Sequence, residues 1–476
     1  MPSSFILAPL VLLGILNLPF RFLGKQVGFW LTGILLCAQV VVAALYPLNA
    51  WGTHQDPLAP FFAFELSADS LASIMLVTIG IVALVSLLVA GSTITGERRR
   101  LHFTSLLLVA LVGMNATVLV TDLFSLYVFV EITAMASFVL IALERGKFAI
   151  EGAFKYLILS AIASVFMLSS IAFLLLLTGD LSFPAIYGAF SDASNRSLLS
   201  LAMGLFLCGL LIKSGVAPFH GWVPDAYWAA PSSVSVLLAG VVTKVSGVYV
   251  LLRLFGTLFI MSVSLQNTLM IAGVFSICFA AVAALTQDDF KRMLAYSSIS
   301  QIGYIVLALG CGTPLAFCGA VFHFFNHAIF KSLLFVNSAS LEKQTGTTDM
   351  NKIAEAGVKM PVTSATSLVG MLSTAGIPPL SGFWSKLVIV TALFASGRSV
   401  YAAIALLASV ITLAYFLSVE RRIFFGKPQA LAEKTVRSPA GITISEVLLT
   451  AITLAGGLGY ALILNNWLLP LRDLLR

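Results

Sequence analysis

Long apolar runs, separated by short charged or glycine- and proline-rich breaks, recur from one end of the chain to the other. A helix that crosses a bilayer needs roughly 20 mostly apolar residues. Cutting at the breaks predicts fourteen such segments, at about 4–20, 28–47, 70–92, 104–121, 123–143, 153–178, 199–217, 232–255, 262–286, 294–310, 313–338, 362–392, 400–419 and 442–468. The run through Gly376 is too long for one crossing and must be interrupted. The pattern predicts an all-α polytopic membrane protein, with three N-terminal helices (1–103), two five-helix units (104–255 and 256–425) and a last helix (426–476).

Composition removes the alternatives. Of the 476 residues 59% are hydrophobic and 10% charged, with mean hydropathy +1.02, against about 45–50% and about 25% in soluble chains. That excludes a soluble globular enzyme and a disordered chain. A net charge of +7 could suit nucleic acid, but the cations fall mostly in short loops, so no nucleic-acid partner is expected. The five Cys form no CxxC pair, so neither a disulfide framework nor an iron–sulfur site is signalled. The N-terminal MPSSFILAPLVLLG lacks a cationic start and a small-residue cleavage site, and reads as a retained first span rather than a targeting peptide.

Loops after odd-numbered segments hold Arg21, Lys25, Arg98, Arg99, Arg100, Arg145, Lys147, Lys291, Arg292, Lys343, Lys352, Lys359, Arg421, Arg422, Lys427, Lys434 and Arg437. The opposite loops and the tail hold only Arg196, Arg253, Arg398, Arg472 and Arg476. The positive-inside rule therefore places the odd-numbered loops in the cytoplasm and both termini outside. Five basic residues remain within the apolar segments: Lys155, Lys213, Lys244, Lys331 and Lys386. All are lysines, and every Arg is assigned to a loop or tail. Lysine can shed its proton when buried, whereas Arg is effectively always charged, so this partition points to titration rather than fixed charge. Lys155, close to a segment edge, also fits a snorkelling side chain.

Among the acids, only Glu131 lies near the middle of a long apolar run, and Lys213 is the partner expected for it. The segment VFHFFNHAIFKSLLF puts His323, His327 and Lys331 at i, i+4 and i+8, on one face of a helix. A histidine pair can hold a metal, but no third ligand lies nearby, so a proton-relay face is the preferred reading and no metal is expected.

Two segments carry matching interruptions. Gly215, Pro218 and Gly221 correspond to Gly376, Pro379 and Gly382 at a constant offset of 161, and Pro378 reinforces the second break. A second echo, at an offset of 176, relates Phe154, Lys155 and Leu157 to Phe330, Lys331 and Leu333. Proline inside a helix frees backbone groups, which a membrane tolerates only where protein, water or a ligand satisfies them. Each unit has five helices, an odd number, so the second copy is inverted. Paired broken helices in inverted units point to an ion path near the midplane.

These residues resemble the antiporter-like subunits shared by respiratory complex I, Mrp-type sodium/proton antiporters and energy-converting membrane hydrogenases. The resemblance runs through about residues 70–425. Its most specific pieces are the segment ending in Glu131, EGAFKY around Lys155, KSGVAPFHGWVPDAY, LLAGVVTKVSG around Lys244, QDDFKRMLAYSSISQIGY, HFFNHAIFKSLLF and GIPPLSGFWSK. The resemblance implies fourteen helices, two inverted five-helix repeats and broken helices 7 and 12. It also implies a proton-loading pair Glu131 and Lys213, a central relay Lys244, an exit lysine Lys386, and His323 and His327 between the last two. The partners it implies are other membrane subunits, including homologous antiporter-like ones, and a peripheral redox module, in a bacterial or archaeal cytoplasmic membrane. Lys386 stands where some complex I members carry glutamate, and the chain ends soon after the last segment. Both features favour a D-type antiporter subunit or a hydrogenase-module homologue.

No Gly-rich nucleotide loop, Cys cluster or haem motif occurs, so no cofactor is expected in this chain. The leading expectation is a proton-translocating subunit driven by redox work done elsewhere. The alternative is an Mrp-type secondary Na+/H+ antiporter subunit, with Thr243, Ser232 and Ser233 as weak sodium donors. A third is an intramembrane enzyme using His323 and His327, for which no nucleophile or acidic ligand is present.

Overall fold

In a computed structural model, the structure describes residues 6, 10–13, 27–45, 65–191, 196–353, 356–425 and 438–474. Among them the chain is almost wholly helical, with isolated β-bridges and no strands. Twelve helices are long and apolar enough to cross a membrane. They are α1 (Val27–Leu45), α2 (Ser70–Thr93), α3 (Glu97–Leu119), α4 (Leu123–Glu144), α5 (Lys147–Thr178), α7 (Arg196–Ser214), α9 (Ser232–Leu258), α10 (Val263–Leu285), α11 (Phe290–Cys311), α12 (Pro314–Thr345), α15 (Ser399–Ile423) and α16 (Ala440–Leu458). Shorter helices are α6 (Phe183–Ser191), α8 (Trp222–Ala229), α13 (Pro361–Ala375) and α14 (Ser381–Ala395). The predicted segment 4–20 and the cations Arg21, Lys25, Lys427, Lys434 and Arg437 lie wholly or mostly outside the described residues.

The predicted segment 362–392 is two fifteen-residue helices, α13 and α14, neither of which reaches the length of a crossing alone. Gly376 ends α13 with φ +88°, a left-handed conformation that costs glycine nothing. Gly382 then brings α14 hard against α13: a Cβ there would collide with the Ser373 carbonyl oxygen. The earlier break follows α7, where Gly215 has φ +66° before the chain re-enters helix in α8.

Contacts sort the helix ends into two faces. On one, Arg292 pairs with Asp225, Lys291 with Glu342 and Arg422 with Asp288, while Asp289 bridges Asp349. On the other, Leu66 bridges Val120, Asp122 bridges Ser182, and Arg398 donates to the Asn267 side chain. The described cation-rich loops thus share one end of the bundle. Helices α9, α11 and α12 form its interior: the apolar window of α9 is wholly buried and those of α11 and α12 are 94% buried, against 33% in α5. A helix apolar on all sides is a central one, so polar side chains on these three face protein.

One reading of the sequence needs correction, and one pair of residues must be added to it. The loop position expected for Arg253 does not hold, because this residue lies within α9, where it forms a two-pronged pair with Asp69 at the start of α2. Glu420 in α15 and Glu446 in α16, which the sequence does not single out, are 3% and 0% exposed, more deeply buried than Glu131. Both sit toward the ends of their helices, where a carboxylate reads from sequence as solvated.

Candidate functional site

The site begins where α4, α5 and α7 meet. Lys213 Nζ lies 2.8 Å from Glu131 Oε1, with the lysine side chain 2% exposed and the glutamate 17%. Two serines of α5, one turn apart, complete the pair. Ser164 Oγ donates to Glu131 Oε1 at 2.7 Å, and Ser160 Oγ accepts from Lys213 Nζ at 2.8 Å. A buried ion pair survives desolvation only with such supplementary hydrogen bonds. The serines carry no sequence signal, since hydroxyls in membrane helices usually bond their own backbone.

Lys244 is centred in α9, where it opens the second of two π-helical turns, Leu238–Val242 and Lys244–Tyr249. These wide turns loosen the backbone ladder, and the lysine ammonium donates to the Ala239 carbonyl within the same helix. Lys244 is 1% exposed and, among the described residues, forms no ion pair. Gly247 lets α9 press against the end of α7, where an added Cβ would meet Ser214 N at 2.5 Å.

On α12 the predicted stripe is present, and His323, His327 and Lys331 are all fully buried. The two imidazoles are nearly parallel, with centroids 6.2 Å apart. His323 Nδ1 lies 2.9 Å from Ser385 Oγ, one residue before Lys386. Among the described residues neither nitrogen of His327 has a hydrogen-bond partner, and the ring is within electrostatic reach of Lys244, Lys331 and Lys386. Lys331 donates to Ser297 Oγ at 2.7 Å, and Ser297 also meets the Tyr415 hydroxyl at 2.6 Å. Among the described residues, no cluster of three or more His, Cys, Asp or Glu could hold a metal ion.

Lys386 closes the series beside the second break. Its ammonium donates to Thr374 O at 2.8 Å and Ala375 O at 3.4 Å, the free carbonyls at the C-terminus of α13. Ser409 Oγ lies at 3.3 Å and the Tyr304 ring centroid at 4.6 Å. A helix C-terminus presents partial negative charge, so the break itself supplies the cation's environment. Trp222, directly after Gly221, donates to Ile212 O, which also accepts from Gly215 N at the first break.

Lys155 stands apart. Its side chain is 42% exposed and pairs with Glu151 at 2.7 Å and Asp225 at 2.6 Å on the cation-rich face. The snorkelling alternative describes this position.

Known proteins are similar to this chain in sequence and in fold. The family model described as NADH:quinone oxidoreductase/Mrp antiporter, TM, matches residues 120–412. The D-type Na(+)/H(+) antiporter subunit of Alkalihalophilus pseudofirmus is 32% identical over 91% of this chain and 88% of its own. The N-type NADH-quinone oxidoreductase subunit of Desulforudis audaxviator is 33% identical over 88% and 85%. A chain of the membrane-bound sulfane sulfur reductase, an archaeal respiratory membrane complex, superposes with TM-score 0.88 at 27% identity, covering 99% of this chain and 97% of that one. With a match through more than half its length and its buried lysines inside that match, this integral membrane protein belongs to the NADH:quinone oxidoreductase/Mrp antiporter transmembrane family.

Proposed function

We propose that the chain is a proton-translocating, antiporter-like subunit of a multisubunit membrane pump whose driving redox reaction occurs in another subunit. The observation that carries this is the series of four buried lysines and two buried histidines through helices α7, α9, α12 and α14, served, among the described residues, by only one ion-paired carboxylate, Glu131. A structural network would balance its charges. A series of ammonium groups held by hydroxyls and carbonyls is suited to passing protons instead.

In this reading Glu131 holds Lys213 protonated. When the pair separates, the proton passes to Lys244, whose approach displaces protons on His327, Lys331 and His323 toward Lys386. Each step breaks one N–H bond and forms another, so no electron moves. The two breaks give access from opposite faces, within two inverted five-helix units of a fourteen-helix bundle. Support comes from the left-handed glycines Gly215 and Gly376 at equivalent places and from a lysine beside each. The cation-rich face would be cytoplasmic in a bacterial or archaeal membrane. The partners would be further membrane subunits, including homologues of this chain, and a redox module, with no cofactor held by this chain.

Sodium/proton exchange driven by ion gradients is a second reading, favoured by the relation to a D-type antiporter subunit. Proton and 22Na+ flux in proteoliposomes containing the assembled complex separate the two. Proton pumping abolished by Lys244→Ala in an intact complex supports the path; undiminished pumping would remove Lys244 from it. Flux that requires Na+ and persists without redox turnover would favour the exchanger.

A further inference from the structure

A second group of polar residues lies outside this path, where the end of α12, the start of α13, the end of α15 and the start of α16 converge. Glu420 and Glu446 are buried there. Neither has an ion pair among the described residues, and both oxygens of Glu420 and Oε2 of Glu446 lack a hydrogen-bond partner. Ser367 stands beside Glu420, and Thr363 and Ser340 beside Glu446. Asn337 joins the halves: in the amide orientation that satisfies both ends it donates to Glu446 Oε1 at 3.2 Å and accepts from Ser367 N at 3.0 Å. A line of hydroxyls leads outward from Glu446. Ser340 Oγ lies 2.9 Å from Thr363 Oγ1 and 2.7 Å from Ser438 Oγ, which accepts from half-buried Gln344 at 2.6 Å.

The geometry points to Glu446 and Glu420 as a second proton-binding site, loaded from the aqueous phase through Ser438, Ser340 and Thr363. Burying an ionised carboxylate with no cation is expensive, so the site's charge must be neutralised by a bound proton or a small cation. A sodium ion needs several oxygens aimed at one centre. Here the Asn337 oxygen is taken by Ser367 N and the hydroxyls bond one another in a line, an arrangement for relaying protons. Among the described residues no cation forms an ion pair with either carboxylate, and the charged residues Glu97 and Arg100 of α3 line a cavity with Gly441 at the start of α16. On α12, Glu342 pairs with Lys291, and Lys343 is exposed. Lys359 ahead of α13 and Arg421 and Arg422 on α15 are exposed, and α16 and the adjacent α2 carry no other titratable residue. Inward, Ser338 lies on the face of α12 that carries Lys331, two turns away, with its buried hydroxyl unpartnered. The use of the stored proton for transport rests on the proposed function. The binding itself does not.

The test uses the wild-type chain in its native membrane complex. A hydrophobic carbodiimide adds to a protonated carboxyl group and rearranges, with all atoms retained, to a stable N-acylurea that peptide mass spectrometry locates. Adducts are expected on Glu446 and Glu420, in yields that fall as pH rises and are unchanged by Na+. In D2O, exchange of the protonated carboxyl C=O band should slow several-fold in Ser340→Ala, and the band should be lost in Glu420→Gln/Glu446→Gln. Unlabelled glutamates in a complex that pumps protons would overturn this site and leave the proposed function standing. Protection by Na+ at constant pH would overturn the proton reading in favour of a cation site. An unchanged exchange rate in Ser340→Ala would overturn the relay.

Discussion

The two breaks carry one lysine each, and the lysines are neutralised in opposite ways. Lys213, before Gly215, faces the carboxylate of Glu131 and two serines. Lys386, after Gly376, faces two helix-terminal carbonyls, a serine and an aromatic ring, with no counter-ion among the described residues. A formal charge on a neighbour holds a proton until that neighbour moves. Dipoles hold it less firmly and in place, so a cation arriving nearby can drive it off. The first arrangement suits a loading point and the second a release point.

The largest effect should come from splitting the first pair. Glu131→Gln or Lys213→Met alone strands a buried charge, at a cost of about 3–5 kcal/mol, and should abolish proton flux. The double variant should be much more stable than the sum of the singles, because no ion is left unpaired. Thermal unfolding of the four proteins in detergent measures the coupling. Additive losses would mean that the two residues act independently and that the contrast between the breaks is empty.

Lys386 should behave differently, since removing it strands no opposite charge. Lys386→Met should leave assembly and unfolding temperature close to wild type while proton flux is lost. Arginine sharpens the contrast. Lys386→Arg keeps the charge but cannot release a proton, so flux should fail as completely as in Lys386→Met. Pumping by Lys386→Arg at the wild-type rate would show that this position is electrostatic and not a carrier.

A smaller loss is expected from the backbone. Replacing Pro378 and Pro379 by Ala permits a continuous helix across the break, removing the free carbonyls at Thr374 and Ala375 on which Lys386 rests. Flux should fall although every titratable residue remains, and Gly215→Ala with Pro218→Ala should do the same at the first break. Gly382→Ala, which meets Ser373 O, should cost about 1–3 kcal/mol of stability through overpacking. If both repaired breaks pump normally while structural probes report straight helices, the breaks are packing devices.

Much of this is legible in the sequence because charge in an apolar run is conspicuous: Glu131, Lys213, Lys244, Lys331 and Lys386 each stand out from their neighbours, and spacing alone puts His323, His327 and Lys331 on one face. What escapes is of two kinds. Ser160, Ser164, Ser297, Ser385 and Ser409 are indistinguishable in sequence from serines that bond their own helix, and only the packing of neighbouring helices selects them. Glu420, Glu446 and Arg253 lie near helix ends, where hydropathy does not distinguish a side chain facing water from one turned into the bundle. Lys155 shows the converse, a lysine inside an apolar segment that reaches the surface.

The smallest effect on transport concerns the opposite face, at Asp69. Burial alone would raise the affinity of this carboxyl for its proton, but the Arg253 guanidinium and the Ala72 N–H outweigh it and hold the group below its usual 3.8. A lowered value in the folded state means that the pair's contribution is complete above about pH 4 and is lost as pH falls through the lower folded value. Asp69→Asn removes the titrating group and leaves Arg253 without its counter-charge at every pH. Wild type and variant should therefore differ in unfolding temperature at neutral pH and converge in acid, while proton flux is unchanged because neither residue lies on the path. Because Asn caps a helix as well as Asp, a constant difference down to about pH 2 would mean that the loss does not follow the Asp69 charge and that the pair with Arg253 is not its cause. Loss of flux in a stable Asp69→Asn complex would extend the path to this face, bringing a second carboxylate pair into a comparison that now rests on Glu131 and Lys213 alone.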